Sequence, residues 1–219
     1  MIRKGNTAEV FDYGAEKVCK LFWEGYPREY VELEYKNAKQ VFSLKLAVPQ
    51  PFEIIQVGNR NGIVYEKIEG KTLLESVSEN EIESSKMLEE FVRLHGELLS
   101  KHTQNVLSYK TFLTAMVKDK MREQELLTNK IHALPEGDCL LHGDFHPNNV
   151  MVKSDKTLVI IDLMNVCYGP ALYDIARTFF LLKDINRPIA ENYLNRMRVS
   201  ESEITQYINV IALCRKYEG

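Results

Sequence analysis

The sequence has no run of apolar residues that approaches the roughly 20 needed to span a membrane. Its first residues also lack the apolar core of a secretion signal. Cysteine is scarce as well, and the spacing of the four residues matches neither a disulfide framework nor a metal-binding motif. These four are Cys19, Cys139, Cys167 and Cys214. We therefore expect a cytoplasmic protein with reduced thiols and no membrane partner.

An excess of basic residues is also missing, because 28 Lys and Arg stand against 31 Asp and Glu, for a net charge of −3. Nucleic-acid-binding domains are normally basic, so this balance argues against a nucleic-acid partner. Internal repeats and low-complexity tracts are absent too. What the chain does have is length and apolar content. Its 219 residues, 45% of them hydrophobic, are enough for a sizeable core in one large or two small domains.

Acidic, amide and imidazole side chains concentrate in residues 139–162, which read CLLHGDFHPNNVMVKSDKTLVIID. A polar loop is followed by two predicted strands around the turn 154–157. If this hairpin is centred between Asp155 and Lys156, the numbers of paired residues sum to 311, and Asn149 lies opposite Asp162. Directly opposed side chains have Cβ atoms about 4.5 to 5.5 Å apart. Their oxygens therefore predict a Mg²⁺ site, with Asp144 free on the loop to accept a proton.

Two other interpretations of this segment are open. The alternation of His142, Asp144 and His146 is also compatible with a transition-metal site, although the hairpin would add the oxygen ligands of a hard cation. In a purely structural interpretation, Asp144 caps a turn and Asp162 ends a strand. That interpretation leaves the spacing of the three polar residues unexplained.

An acid on a loop, an Asn five residues later and an Asp after the next strand form the layout of a kinase catalytic loop and metal site. HGDFHPNNV followed by VIIDLMNVCYGPALYDIART resembles the aminoglycoside phosphotransferase and choline kinase family, over roughly residues 1–180. Asp162 is followed by Leu-Met where protein kinases carry Phe-Gly, which favours the small-molecule branch. The resemblance implies a two-lobed α+β, protein-kinase-like fold. Residues 1–68 would form an antiparallel nucleotide-binding lobe and residues 69–219 a mostly helical lobe with the catalytic loop, with ATP between them.

The resemblance also assigns nucleotide-binding roles in the first lobe. The turn from Gly5 to Val10 would cover the phosphates of ATP, and Lys20 on a strand would hold the α and β phosphates. Glu34, on a predicted helix over 28–41, is the best match for the carboxylate that pairs with Lys20, and Glu32 is its competitor.

Further along, the resemblance places Glu66 and Ile68 in the connection between the lobes. The Glu66 carbonyl and the Ile68 amide would bond the adenine edge, with Tyr65 at the back of the pocket. The strands that lead there are predicted to turn at Asn59-Arg60-Asn61-Gly62, which contains an Asn-Gly turn signal.

The second lobe is predicted to contain long helices, including one from about 106 to 131. His95 lies on the apolar face of another helix, where a buried, hydrogen-bonded histidine is expected rather than a catalytic one. Asp174 begins a helix after Gly169-Pro170, and the family pattern makes it a brace for the catalytic loop, with Arg177 as a partner.

The implied activity is transfer of the ATP γ-phosphate to a hydroxyl of a small molecule, with Mg²⁺ on Asn149 and Asp162 and with Asp144 as the proton acceptor. Aminoglycosides are polycations, yet the chain from Thr178 onward carries five acidic against six basic residues. An amino alcohol or a sugar is therefore at least as well supported as an acceptor. A non-catalytic nucleotide-binding regulator and an atypical protein kinase are the alternatives. The short interval between Asp162 and Gly169 leaves little room for a protein kinase activation segment.

Overall fold

The computed structural model describes residues 3–76, 81–117 and 124–217. They fall into two compact units, each described here by itself. The first unit comprises the described residues up to Ser76 together with Asn148–Met164, and the second comprises the rest. The hairpin that follows the polar loop 142–149 thus groups with the N-terminal residues, although the sequence-based division assigned it to 69–219.

The secondary structure is a mixture of short strands and helices, as an α+β chain requires. The strands are β1 (Arg3–Lys4), β2 (Ala8–Asp12), β3 (Lys17–Phe22), β4 (Pro51–Val57), β5 (Arg60–Glu66), β6 (Gly70–Thr72), β7 (Leu107–Ser108), β8 (Cys139–Leu141), β9 (Val150–Lys153), β10 (Leu158–Ile160) and β11 (Cys167–Gly169). The helices are α1 (Arg28–Ser43), α2 (Leu73–Ser76), α3 (Glu81–Leu99), α4 (Tyr109–Val117), α5 (Gln124–Ala133), α6 (Ala171–Ile185), α7 (Arg187–Met197) and α8 (Glu201–Cys214), with 3₁₀ turns at Pro147–Asn149 and Arg215–Tyr217.

The first unit is built on an antiparallel sheet with strand order β1-β2-β3-β5-β4. Helix α1 packs against β4 and β5. Val31, Ala38 and Val41 of α1 are fully buried, and their spacings of seven and three residues place them on one helical face. This stripe fixes the rotation of α1, and with it the direction of the polar residues that lie between the apolar ones.

The turn between β4 and β5 is not where the Asn-Gly signal predicted it. Val57 pairs with Arg60, so the two turn residues are Gly58, with φ +59°, and Asn59. Gly62 instead lies inside β5, where an added Cβ would come within 2.8 Å of the Cys19 sulfur. A close approach between neighbouring strands therefore explains this glycine better than turn geometry does.

A second sheet of the first unit contains the hairpin of β9 and β10, with β6 pairing on the other side of β9. The predicted register of this hairpin is wrong by one residue. Ile160 pairs with Val150 and Leu158 with Val152, so paired numbers sum to 310. The cause is a three-residue turn, 154–156, that ends at Lys156 with φ +69°. This common hairpin geometry is centred on Asp155 itself, not between Asp155 and Lys156 as predicted.

The second unit is mostly helical and is organised around α6, which packs against both α7 and α8. The start of α8 is a capping box between Ser200 and Glu203, as the sequence motif indicates. The predicted helix over 106–131 begins with the short strand β7, continues as α4 and ends within α5, and residues 118–123 lie outside the described part. Within the described ranges, no helix combines the length and apolar character that crossing a bilayer requires.

Candidate active site

The first unit contains a partly buried lysine held by a glutamate of the neighbouring helix. The Lys20 ammonium on β3 lies 2.8 and 2.9 Å from the two carboxylate oxygens of Glu34 on α1. Glu34 is 1% exposed and belongs to the buried face of α1, whereas Glu32 lies on the exposed face and pairs with Arg28. Of the two glutamates that the sequence left open, Glu34 is therefore the one that pairs with Lys20.

Lys20 also donates to Asp162, whose Oδ1 lies 2.8 Å from the ammonium nitrogen. Burial alone would lower the pKa of Lys20, but the charges and hydrogen bonds of Asp162 and Glu34 outweigh it and raise the pKa above its usual value. The lysine is therefore a fixed positive charge at neutral pH. The Asp162 side chain is 46% exposed, so its carboxylate remains accessible from solvent.

Asn37 and Tyr65 also belong to this cluster, although their sequence positions did not predict it. Asn37, one helical turn after Glu34, donates to the carbonyl oxygens of Leu163 and Met164, each at 3.2 Å. It thereby ties α1 to the segment directly after Asp162. Tyr65, predicted at the back of an adenine pocket, donates its hydroxyl to Glu34 at 3.1 Å. The signal for Asn37 was its spacing of three residues from Glu34 on the buried face.

The other predicted nucleotide-binding residues also lie in the first unit. The Gly5 N–H donates to the Ala8 carbonyl at 2.8 Å and closes the turn between β1 and β2, and Val10 pairs directly with Lys20 across β2 and β3. Glu66 ends β5, and Ile68 lies between β5 and β6. Their roles toward a nucleotide stay predictions.

The proposed metal ligands lie at the open end of the β9–β10 hairpin. The Ile161 N–H donates to the Asn149 carbonyl at 2.9 Å. Ile161 therefore lies opposite Asn149, and Asp162, which was predicted there, is the next residue. Both residues leave the strand geometry, because Asn149 ends a 3₁₀ turn and Asp162 has φ +63°. Positive φ is uncommon for a residue other than glycine and concentrates at functional sites. Asn149 is buried, and its role as a ligand stays a prediction.

In the second unit, a buried carboxylate anchors the backbone of the loop that carries Asp144. Asp174 of α6 accepts the backbone N–H groups of His142 and Gly143, both at 2.8 Å. His95 lies 3.0 Å from Asp174 on one ring nitrogen and 2.8 Å from the Tyr193 hydroxyl on the other. His95 is fully buried, which confirms its predicted structural character. Burial opposes ionisation of Asp174, but the hydrogen bond and charge of His95 and the charge of His142 lower its pKa.

Asp144 follows this anchored backbone and lies among basic groups. Arg177 donates to Asp144 Oδ1 at 3.3 Å, and His146 Nε2 lies 3.4 Å from Oδ2. Burial would raise the pKa of Asp144, but the hydrogen bond and charge of His146 and the charges of Arg177 and His142 outweigh it and lower the pKa to about 2. Arg177, predicted as a partner of Asp174, thus reaches the proposed catalytic carboxylate.

The transition-metal interpretation of this loop is not supported by the placement of His142. Its imidazole is fully buried, and its Nδ1 lies 3.3 Å from the backbone N–H of Asp144, which donates to it. The ring therefore orders the loop from within.

Gly143 provides a test of how strongly the loop depends on its backbone conformation. It has φ +76°, and an added Cβ would lie 2.4 Å from the Asn165 carbonyl oxygen. Because both the left-handed conformation and the clash penalise a side chain, we expect Gly143→Ala to lower the free energy of unfolding by about 2 kcal/mol or more. Urea denaturation followed by circular dichroism measures the change.

Gly96→Ala is the matched control for this substitution. Gly96 lies within α3, and an added Cβ meets no atom within 4 Å. Replacement should therefore stabilise the protein by about 0.5 to 1 kcal/mol, because alanine favours the helix. Equal effects of the two substitutions would contradict the assigned strain at Gly143.

The sequence matches the Phosphotransferase enzyme family over residues 2–200, and the chain therefore belongs to that family. Among curated proteins, a methylthioribose kinase from Geobacillus sp. (strain WCH70) is 29% identical over 197 residues. The alignment covers 74% of this chain and 46% of that kinase. The chain thus spans about half the length of the curated relative that it matches.

Solved structures show the same fold at low identity. An aminoglycoside phosphotransferase, APH(4)-Ia, has a TM-score of 0.72 at 16% identity, covering 99% of this chain and 85% of its own. Aminoglycoside-3'-phosphotransferase of type VIII has a TM-score of 0.72 at 14% identity, and the match covers 96% of this chain and 91% of that chain. Choline kinase from Streptococcus pneumoniae has a TM-score of 0.65 at 14% identity, and the match covers 99% of this chain and 83% of that chain. The predicted α+β, kinase-like fold is confirmed.

Proposed function

We propose that the protein is an ATP-dependent phosphotransferase that moves the γ-phosphate to a hydroxyl group of a small molecule. The observation that carries the proposal is the Lys20 ammonium, which is bonded to Glu34 and Asp162 in a chain of the phosphotransferase family. A partly buried cation kept charged by two carboxylates is suited to bind nucleotide phosphates. An ordinary solvated strand lysine has no such support.

In this proposal each predicted residue has a distinct task. Lys20 binds the α and β phosphates, and Glu34 holds its ammonium in place. The turn that starts at Gly5 and the neighbouring Val10 cover the nucleotide, and the main chain of Glu66 and Ile68 binds adenine. The chemical step is assigned to Asp144, which orients the acceptor hydroxyl and takes its proton as the oxygen attacks phosphorus.

Asn149 and Asp162 would hold Mg²⁺, which when bound neutralises phosphate charge. The donor chemistry fits, because an amide oxygen and a carboxylate are hard ligands and Mg²⁺ usually binds through one or two such groups plus water and phosphate. Asp162 is also half-exposed and bonded to Lys20. It is therefore accessible to an ion and directly linked to the proposed phosphate-binding lysine.

For the acceptor we propose a neutral hydroxyl metabolite, with a sugar as the first candidate. Asp144 is paired with the Arg177 guanidinium, which offsets its negative charge and so weakens its attraction for a polycation. The name of the curated relative, methylthioribose kinase, points to a sugar as well. The aminoglycoside and choline kinases among the structural neighbours keep amino alcohols and aminoglycosides in the test.

A screen for ADP release with ATP and Mg²⁺ tests the proposal. The panel comprises neutral sugars including methylthioribose, amino alcohols and aminoglycosides, with the Asp144→Asn protein as the blank. We expect acceptor-dependent ADP release with a neutral sugar at least about tenfold above the aminoglycoside signal. Failure to bind ATP by calorimetry, with no acceptor-dependent release, would count against the proposed activity. Release only with aminoglycosides would contradict the acceptor class alone.

A further inference from the structure

A second group of metal-ligand side chains lies in the second unit, at the start of β8. His102, Asp138 and Cys139 each place one ligand atom within 4.8 Å of the other two. We propose that these three side chains form a binding site for a borderline divalent transition-metal ion such as Zn²⁺. The site is separate from Asn149 and Asp162, and its existence does not depend on the proposed phosphotransferase activity.

The backbone holds this cluster together through an isolated antiparallel bridge between His102 and Cys139. Hydrogen bonds flank the bridge on both sides: the Thr103 N–H donates to the Asp138 carbonyl at 3.1 Å, and the Leu140 N–H donates to the Lys101 carbonyl at 2.7 Å. Directly opposed residues of an antiparallel pair project their side chains to the same face. The imidazole and the thiol are thus brought together before any ion binds.

The donor set is one nitrogen, one oxygen and one sulfur, a combination that suits zinc far better than Mg²⁺ or Ca²⁺. Zinc bonds of about 2.0 to 2.3 Å space tetrahedral ligand atoms roughly 3.3 to 3.8 Å apart. His102 Nδ1 and Asp138 Oδ1 are 2.9 Å apart, and the three ligand atoms lie within 4.8 Å of each other. Small rotations of these side chains are therefore enough to reach zinc geometry.

Exposure leaves room for the ion and for the side chains to turn. The His102 and Asp138 side chains are 61% and 60% exposed, so the hydrogen bond between them lies at the surface and costs little to rearrange. Three protein ligands leave the fourth position of a tetrahedral ion open to water or to an exogenous ligand.

The Cys139 sulfur is partly exposed and accepts a backbone hydrogen bond. Burial raises the pKa of Cys139, but the backbone N–H of Ala171, the first residue of α6, donates to its sulfur and acts in the opposite direction. The net effect is a raised pKa, so the thiol must lose its proton when the ion binds. Of the four cysteines, Cys139 alone is not fully buried. A thiol reagent applied to the folded protein should therefore report on this sulfur.

Titration of ZnCl₂ against a chromogenic chelator, together with the rate of thiol labelling, tests the site. We expect the full chain to bind one Zn²⁺ here, and we expect saturating Zn²⁺ to slow labelling of Cys139 by at least about tenfold. His102→Ala and Asp138→Ala keep the thiol but should each weaken Zn²⁺ binding by on the order of tenfold or more. Both replaced side chains are exposed, so the fold should persist.

Asp162→Asn is the control that separates this site from the proposed magnesium ligands. It should leave both the Zn²⁺ affinity and the protection of Cys139 unchanged. Labelling that is unaffected by Zn²⁺ would overturn the proposal. So would protection that persists in full in both His102→Ala and Asp138→Ala, or protection that is lost in Asp162→Asn.

Discussion

Replacing Asp144 with asparagine should reduce turnover by about 10³-fold or more while changing ATP affinity by less than about twofold. The basic groups around Asp144 lower its pKa to about 2, so the carboxylate is ionised throughout the neutral range and can accept a hydrogen bond from a hydroxyl. Asparagine has nearly the same shape and still offers an oxygen to Arg177, but it accepts no proton. Acceptor-dependent ADP release and calorimetry of ATP binding measure the two quantities.

Asp155→Asn is a matched control, because Asp155 lies in the exposed turn of the β9–β10 hairpin and accepts the Thr157 N–H at 2.9 Å. Its turnover should stay within about twofold of the wild-type value, as for most surface substitutions. Turnover in Asp144→Asn within tenfold of the wild-type value would show that Asp144 is not the group that accepts the proton. Loss of ATP binding in the same variant would assign Asp144 to the nucleotide instead.

The parts of the site that were accessible from sequence are those specified by local periodicity. Lys20 alternates with apolar residues on a strand, and Glu34 lies at a buried position of an amphipathic helix. Each of these positions follows from a repeat of two or 3.6 residues. Their pairing was supplied by the family resemblance, because periodicity says which face a residue occupies and not which other element lies against that face.

What sequence could not supply was the register and the long-range polar bonds. The turn of the β9–β10 hairpin is centred on Asp155 and not between Asp155 and Lys156, and this difference shifts every strand partner by one residue. Similarly, Asn37 reaches the carbonyls of Leu163 and Met164, more than 120 positions away in the chain. Such bonds depend on how separate elements pack, and no local pattern encodes them.

The support of the loop that carries Asp144 was predicted only in part. The family pattern gave Asp174 a supporting role, and the structure supplies its form: two hydrogen bonds from the loop backbone to one buried carboxylate. His95, which contacts Asp174, also forms a hydrogen bond with the Tyr193 hydroxyl, and this bond was not predicted. Tyr193 lies on α7, and only the packing of α3, α6 and α7 brings these three side chains together.

Replacing Asp162 with asparagine should abolish the effect of Mg²⁺ on nucleotide binding and reduce turnover by about 10³-fold or more. In the wild-type protein we expect ATP to bind more tightly with Mg²⁺ than with EDTA, because the ion would neutralise the repulsion between Asp162 and phosphate. An amide carries no charge and is a weaker ligand, so the variant should show nearly equal ATP affinities in the two conditions. Calorimetry in Mg²⁺ and in EDTA measures both.

Lys20→Met serves as the comparison, because it removes the proposed phosphate ligand and should weaken ATP binding in Mg²⁺ and in EDTA alike. If Mg²⁺ strengthens ATP binding in Asp162→Asn as much as in the wild-type protein, Asp162 is not a metal ligand. Altered backbone geometry is a poor alternative explanation for the expected loss. Asp162 has φ +63°, and asparagine is among the residues that adopt this conformation most readily. The side chain is also half-exposed, so the substitution removes the charge while leaving the chain that positions it intact.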